Sequence, residues 1–87
     1  MKRFWFQFEF DNQMTIPAGL SMGCGITALD YSDAIEILRQ KIFKNKKVPH
    51  IKKVVENIDV STLDSGHVLP NMNAPNLRGI WFPIGYE

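Results

Sequence analysis

Three groups of residues in this chain have types and spacings that could do chemistry. Asp64 and His67 stand three residues apart in a polar stretch. At that spacing a carboxylate can orient an imidazole for acid–base work, and the lone cysteine, Cys24, is an available nucleophile. Two observations weigh against catalysis. Cys24 falls mid-strand on a face read as buried, where cysteine behaves as a small hydrophobe. Neither a Ser-His-Asp order nor a nucleophile-elbow glycine pattern is present. Metal chemistry has no better footing: Cys24, His50 and His67 are isolated, without the paired spacing of a zinc site. Gly19, Gly23 and Gly25 lack the lysine and the preceding strand of a phosphate-binding loop, and read instead as a bulge or a close backbone approach. The chain is therefore expected to be no enzyme and to hold no cofactor or metal.

The second group is electrostatic. The stretch from Arg39 to Lys53 carries Arg39, Lys41, Lys44, Lys46, Lys47, Lys52 and Lys53, seven of the ten basic residues, and no acid. All nine acids lie outside it, so a chain of formal net charge +1 is strongly polarised. Such a patch attracts phosphates or an acidic protein surface through its summed field. The plainer reading is a solvated helix end kept soluble by lysines. Lysine in place of arginine also argues against specific phosphate recognition, for which the guanidinium fork is better suited.

The third group is aromatic and loop-borne. Trp5, and with it Trp81, is expected on the sheet face opposite the phenylalanines, where an exposed pair would suit a protein interface or base stacking. Gln7 and Glu9 on that face do not favour nucleic acid. The alternatives are that the long segment from Ser61 to Asn76 folds over both indoles, or that the indoles form a dimer contact. That segment, with His67, Asn71, Asn73 and then Arg78, is long for an irregular connection and is itself a candidate surface.

These residues need elements to position them. Phe4, Phe6, Phe8 and Phe10 alternate with Trp5, Gln7 and Glu9, the period of a strand with one all-Phe face. After the turn residues Pro17-Ala18-Gly19, a second strand is expected over Ser21 to Leu29, with Met22, Cys24, Ile26 and Ala28 on one face and Ser21, Gly23, Gly25 and Thr27 on the other. A helix is expected over Tyr31 to Lys44, capped by Asp30, burying a stripe of Tyr31, Ala34, Ile35, Leu38 and Ile42. Asn45 and the run to Pro49 end it. Ile51 to Val60 fits helical spacing through Ile51, Val54, Val55 and Ile58, but its β-branched content and its place after a Pro-containing loop favour a strand. Leu77 to Phe82 reads as a last strand stopped by Pro83. The expectation is a single α+β domain over residues 1–87, β-β-α-β-β, with one helix on the Phe-rich face of a mostly antiparallel sheet.

Composition agrees with one small globular domain: 87 residues, 45% hydrophobic, 22% charged and ten aromatics. A single cysteine forbids an intramolecular disulfide and favours a reducing, cytoplasmic setting. Lys2 and Arg3 mimic the start of a signal peptide, but Gln7, Glu9 and Asp11 interrupt the apolar stretch. No window reaches the roughly 18 apolar residues of a membrane helix, so no membrane contact is expected.

The segments Gly23-Cys24-Gly25-Ile26-Thr27-Ala28, His67-Val68-Leu69-Pro70-Asn71 and Arg78-Gly79-Ile80-Trp81-Phe82-Pro83 together resemble a small bacterial family of uncharacterised proteins. The resemblance spans nearly the whole chain and implies no activity and no functional residue. In size and in its irregular polar loop the chain is similar to immunity and antitoxin proteins, which act by binding a partner. The leading expectation is thus a non-enzymatic interaction module, binding another protein or a second copy of itself through Trp5, Trp81, His67, Asn71 and Arg78. The alternative is a nucleic-acid binder using Lys44, Lys46, Lys47, Lys52 and Lys53.

Overall fold

The structure is a computed structural model that describes residues 1–13 and 15–86. Strands β1 (Lys2–Glu9), β2 (Cys24–Ala28), β3 (His50–Glu56) and β4 (Gly79–Phe82) form an antiparallel sheet in the order β3-β1-β2-β4. Helix α1 (Tyr31–Ile37), continued by a π turn over Leu38–Ile42, crosses one face. The chain is an α+β domain of the expected β-β-α-β-β order.

The alternating phenylalanines of β1 do what their period demands. Phe4 pairs opposite Ile26 and Phe6 opposite Cys24, so the two central strands present one apolar stripe to the helix. Phe4, Phe6, Cys24, Ile26 and Ala28 pack there with Ala34, Ile37, Leu38, Ile42 and Phe43. Phe8 extends the stripe, stacking on Phe6 at 6.2 Å and meeting the edge of Phe43 at 5.7 Å. The second strand is shorter than expected: alternation holds only from Cys24, and Met22 packs on the opposite side of the sheet.

Asp30 caps α1 as its type and place suggest, its Oδ1 accepting from Asp33 N at 2.8 Å. The helix does not run on to Lys44. Its last turn widens: Phe43 N–H donates to Leu38 O at 3.1 Å, five residues back, and Asn45 N–H to Arg39 O at 2.8 Å. Lys44 and Asn45 then take left-handed φ of 53° and 66°. The wider turn carries both Ile42 and Phe43 under the sheet and buries Ile37, which a regular helical stripe left out. Tyr31, expected in that stripe, is 46% exposed, with its ring edge-on to Phe4 at 6.3 Å.

The segment after Pro49 is a strand, though it stops at Glu56 rather than Val60. β3 pairs with β1 through Trp5↔Val55 and Phe6↔Val54, and a register shift between Gln7 and Phe8 leaves Lys52 in a bulge. Asn57, at φ 57°, turns the chain out of the sheet. From there the irregular segment, with 3-10 turns at Val60–Thr62 and Leu69–Asn71, crosses the face away from the helix before returning as β4.

That crossing makes a second core. Ile58, Val60, Leu63, Val68 and Met72 pack on Trp5, Trp81 and Phe82. The indoles stack at 6.0 Å between centroids, over β2 rather than beside it. They fit because Gly23 and Gly25 have no side chains: a Cβ on Gly25 would overlap the six-membered ring of Trp81, and one on Gly23 would lie 2.5 Å from the ring of Trp5. Gly23, just before β2, and Gly25 within it mark a close backbone approach, one of the two readings that their spacing suggested. Gly25→Ala is therefore expected to cost about 1–3 kcal/mol by overpacking, whereas Gly66→Ala, whose Cβ would meet only the Asp64 carboxylate at 3.3 Å, leaves the core unstrained. Urea denaturation of both variants measures the difference.

Candidate functional site

The tryptophan face is not a free surface. Trp5 is 6% exposed and Trp81 1%, both sealed by the crossing segment. The expectation that they form an open aromatic pair is corrected; the alternative, that the loop folds over them, is what the chain does. Indoles bury more apolar area than any other side chains, and a half-open tryptophan face in a domain this small would forfeit much of its core. The Trp81 Nε1–H has no acceptor among the described residues, a cost of about 1–3 kcal/mol that the packing of its ring must offset.

The polar residues of the crossing segment hold it in place. Arg78 reaches back to the start of α1, its Nε donating to Asp33 Oδ2 at 2.9 Å and its Nη2 to Asp33 Oδ1. Leu29 N–H also donates to Asp33 Oδ2, at 2.9 Å. The Arg78 guanidinium and that backbone donor hold the Asp33 carboxyl below the usual carboxylate range. Thr27 donates its hydroxyl to Pro75 O, and Asn73 N–H donates to Trp81 O at 2.8 Å. Arg78, expected to meet a partner, is committed to an internal ion pair.

His67 and Asp64 do come together, at 3.2 Å between Nδ1 and Oδ2. The pair is part of a turn: Asp64 Oδ1 accepts from Gly66 N at 2.7 Å and from His67 N at 3.2 Å, and Asn71 Nδ2 donates to His67 O at 2.8 Å. The Gly66 N–H, and after it the His67 ring, hold the Asp64 carboxyl below its ordinary range. Cys24 is buried on the helix side of the sheet, where desolvation pushes its thiol far up, while His67 rides the cover of the other side. The structure does not assemble them. His67 and Asn71 border a cleft with Ser21, Met22, Phe82 and Pro83.

The lysines fare differently. Arg39 is paired with Glu36 and donates to Asn45 Oδ1 at 2.6 Å, which braces the left-handed turn. Lys44, Lys46, Lys47, Lys52 and Lys53 are exposed, and none has an ion-pair partner among the described residues. Lys44, Lys46 and Lys47 gather on the rim of a cleft of about 430 Å³ between the β1–β2 loop and the α1–β3 connection. Its floor is apolar: Phe10, Pro17, Ile42, Phe43 and Pro49. An adjoining cleft shares Phe10, Lys47 and Pro49 and adds Glu9, Asp11 and His50. Lys52 and Lys53 lie along β3 and line neither. The five lysines thus divide into three on the cleft and two on the sheet edge.

Sequence reasoning found the rim and missed the floor. The helical stripe assigns Ile42 to the core and the strand alternation assigns Phe10 to the Phe-rich face, while neither period assigns Phe43 a role. The signal for the floor was the pairing of Ile42 with Phe43 just before a polar Lys44-Asn45-Lys46-Lys47 run closed by Pro49. Only the π turn and the two left-handed residues bring that run back over its own apolar end.

Among the described residues no helix is long and apolar enough to cross a membrane, and no group of three or more metal-ligating side chains gathers. Burial has two measurable consequences. Trp81→Ala is expected to lose about 3–5 kcal/mol of stability, readable by thermal melting. The depressed carboxyls of Asp33, Asp59 and Asp64 bind fewer protons folded than unfolded, so their stabilisation is present above the unfolded value of about 3.9 and lost as pH falls through their lower folded values. Melting temperature should hold from pH 7 to about pH 5 and drop below about pH 4, with the drop reduced in Asp33→Asn. No protein-family model, curated protein or solved structure matches this chain.

Proposed function

We propose that the chain is a cytoplasmic, non-enzymatic interaction module whose working surface is the lysine-rimmed end of the fold, and that its partner is an acidic protein surface. The observation that carries this reading is the gathering of Lys44, Lys46 and Lys47, all without ion-pair partners among the described residues, around an apolar cleft. Unpaired cations concentrated at one end of a near-neutral chain steer an anionic partner and fix its orientation. The single cysteine, buried and protonated, supports a reducing compartment.

Nucleic acid is the second reading, favoured by the five exposed lysines of residues 44–53, which have no ion-pair partner among the described residues. Two features weigh against it. Both tryptophans are buried and offer no stacking platform. The one arginine of the basic stretch is already paired with Glu36.

A photo-crosslinking residue at position 16, where the exposed Ile16 stands between the cleft-lining Thr15 and Pro17, and a control at position 65 distinguish these readings in the native host. The expected result is a discrete, nuclease-resistant adduct from position 16 alone. The triple variant Lys44→Glu, Lys46→Glu and Lys47→Glu should weaken it by roughly tenfold. A nuclease-sensitive adduct would transfer the function to nucleic acid, and equal labelling at both positions would remove the lysine end from consideration.

A further inference from the structure

Taking the lysine end as the partner surface, we infer that the cleft between the β1–β2 loop and the α1–β3 connection seats one aromatic anchor residue of an acidic peptide segment, with the segment's carboxylates on the lysine rim. The inference rests on two properties that the cleft combines. The floor of Phe10, Ile42 and Phe43 is apolar and partly aromatic, and the rim of Lys44, Lys46 and Lys47 is cationic. An apolar ligand alone would leave the ammonium groups unmatched, and a bare polyanion would leave the floor wet. A large side chain flanked by carboxylates matches both, and aromatic residues in such pockets dominate the energetics of protein interfaces. At about 430 Å³ the cleft has room for one indole or phenyl ring with its adjoining backbone.

Charge also sets the direction in which the segment lies. Glu9 and Asp11 stand beyond Lys47 in the adjoining cleft, so carboxylates on that side meet repulsion. Those toward Lys44 and Lys46 meet only cations. A second copy of this chain offering its own lysine end is excluded as occupant by like charge.

The floor is held for this role by the fold. Ile42 and Phe43 are presented by the π turn, and the rim is bent back over them by the left-handed Lys44 and Asn45. Asn45 N–H on Arg39 O at 2.8 Å and Arg39 Nη1 on Asn45 Oδ1 at 2.6 Å brace the bend from both directions. The cleft is therefore built before any partner arrives, which reduces the ordering cost of binding.

Two labelled peptides test the inference by fluorescence anisotropy: acetyl-Glu-Glu-Trp-Glu-Glu-amide and its counterpart with Ala in place of Trp. The Trp peptide should bind at least about tenfold more tightly, the return for burying one large apolar side chain. Thr15→Trp, which fills the mouth of the cleft, should erase that difference and leave the weak, salt-sensitive binding of the Ala peptide. Should Thr15→Trp fail to fold, amide shifts of Phe10, Phe43 and Lys47 during titration of the wild-type protein report the same occupancy. Equal affinities for the two peptides would overturn the anchor while leaving the acidic-partner reading standing. Absence of binding by either peptide would overturn both. Tight binding of indoleacetate alone would assign the cleft to a small molecule instead, and equal binding of a Lys-Lys-Trp-Lys-Lys peptide would refute the charge match.

Discussion

The stack of Trp5 on Trp81 is possible only because the chain has no side chain at Gly23, just before β2, and none at Gly25 within it. Gly23 and Gly25 form a trough, and the rings occupy the space that two Cβ atoms would otherwise claim. Much of the architecture follows. An indole pair lying flat on the sheet presents a broad apolar surface that no single strand or turn can cover. The chain supplies a segment of about twenty residues between β3 and β4, studded with Ile58, Leu63, Val68 and Met72, to close it. Its two ends are pinned by polar contacts, Ile58 N–H on Arg3 O at 3.1 Å at one and Arg78 on Asp33 at the other. The long irregular segment is thus the outer wall of a second hydrophobic core, and its polar residues serve the wall.

Closing that face displaces function to the far end of the molecule. A sheet covered by a helix on one side and a strapped segment on the other leaves its edges and the junctions between elements. β3 is the outermost strand next to β1, yet Lys52 in its bulge and the adjacent Lys53 protect its edge, since a kinked, charged edge resists pairing with another strand. Lys52 and Lys53 belong to that protection. Lys44, Lys46 and Lys47 belong to the cleft. One basic run in the sequence therefore serves two physical purposes, separated by Pro49.

The legible parts of the fold were those ruled by short-range periodicity. The Phe4–Phe10 alternation specified a strand and its buried face, and Asp30 with Asp33 specified where the helix starts. The expectation of a strand after Pro49 also held, because β-branched Val54 and Val55 pair across from Phe6 and Trp5. What could not be read was set by geometry between distant residues. The π turn at Leu38–Ile42 has no period of its own; it forms because widening the last turn buries Ile42 and Phe43 together against Phe8. The exposure of Trp5 depended on whether residues more than fifty positions away would cover it, and side-chain alternation gives direction without accessibility. For the candidate site the rim was visible as charge, while the floor was hidden among residues that look like core.

The positions of strain in the backbone sharpen the same point. Among the described residues, three other than glycine sit at positive φ: Lys44, Asn45 and Asn57. Asparagine tolerates that region because its short side chain can bond locally. A lysine there has no such relief, and the surroundings must hold it. Asn57 only turns the chain from β3 toward the tryptophan face. Lys44 and Asn45 form a consecutive pair whose effect is to fold a cationic loop back over apolar side chains, where a simple helix-to-strand connection would have carried the lysines outward into water. Two adjacent left-handed residues, one of them a lysine, are a costly way to end a helix. Here they are braced by Arg39, and the result is a cleft in which charge and apolar surface lie within reach of a single ligand.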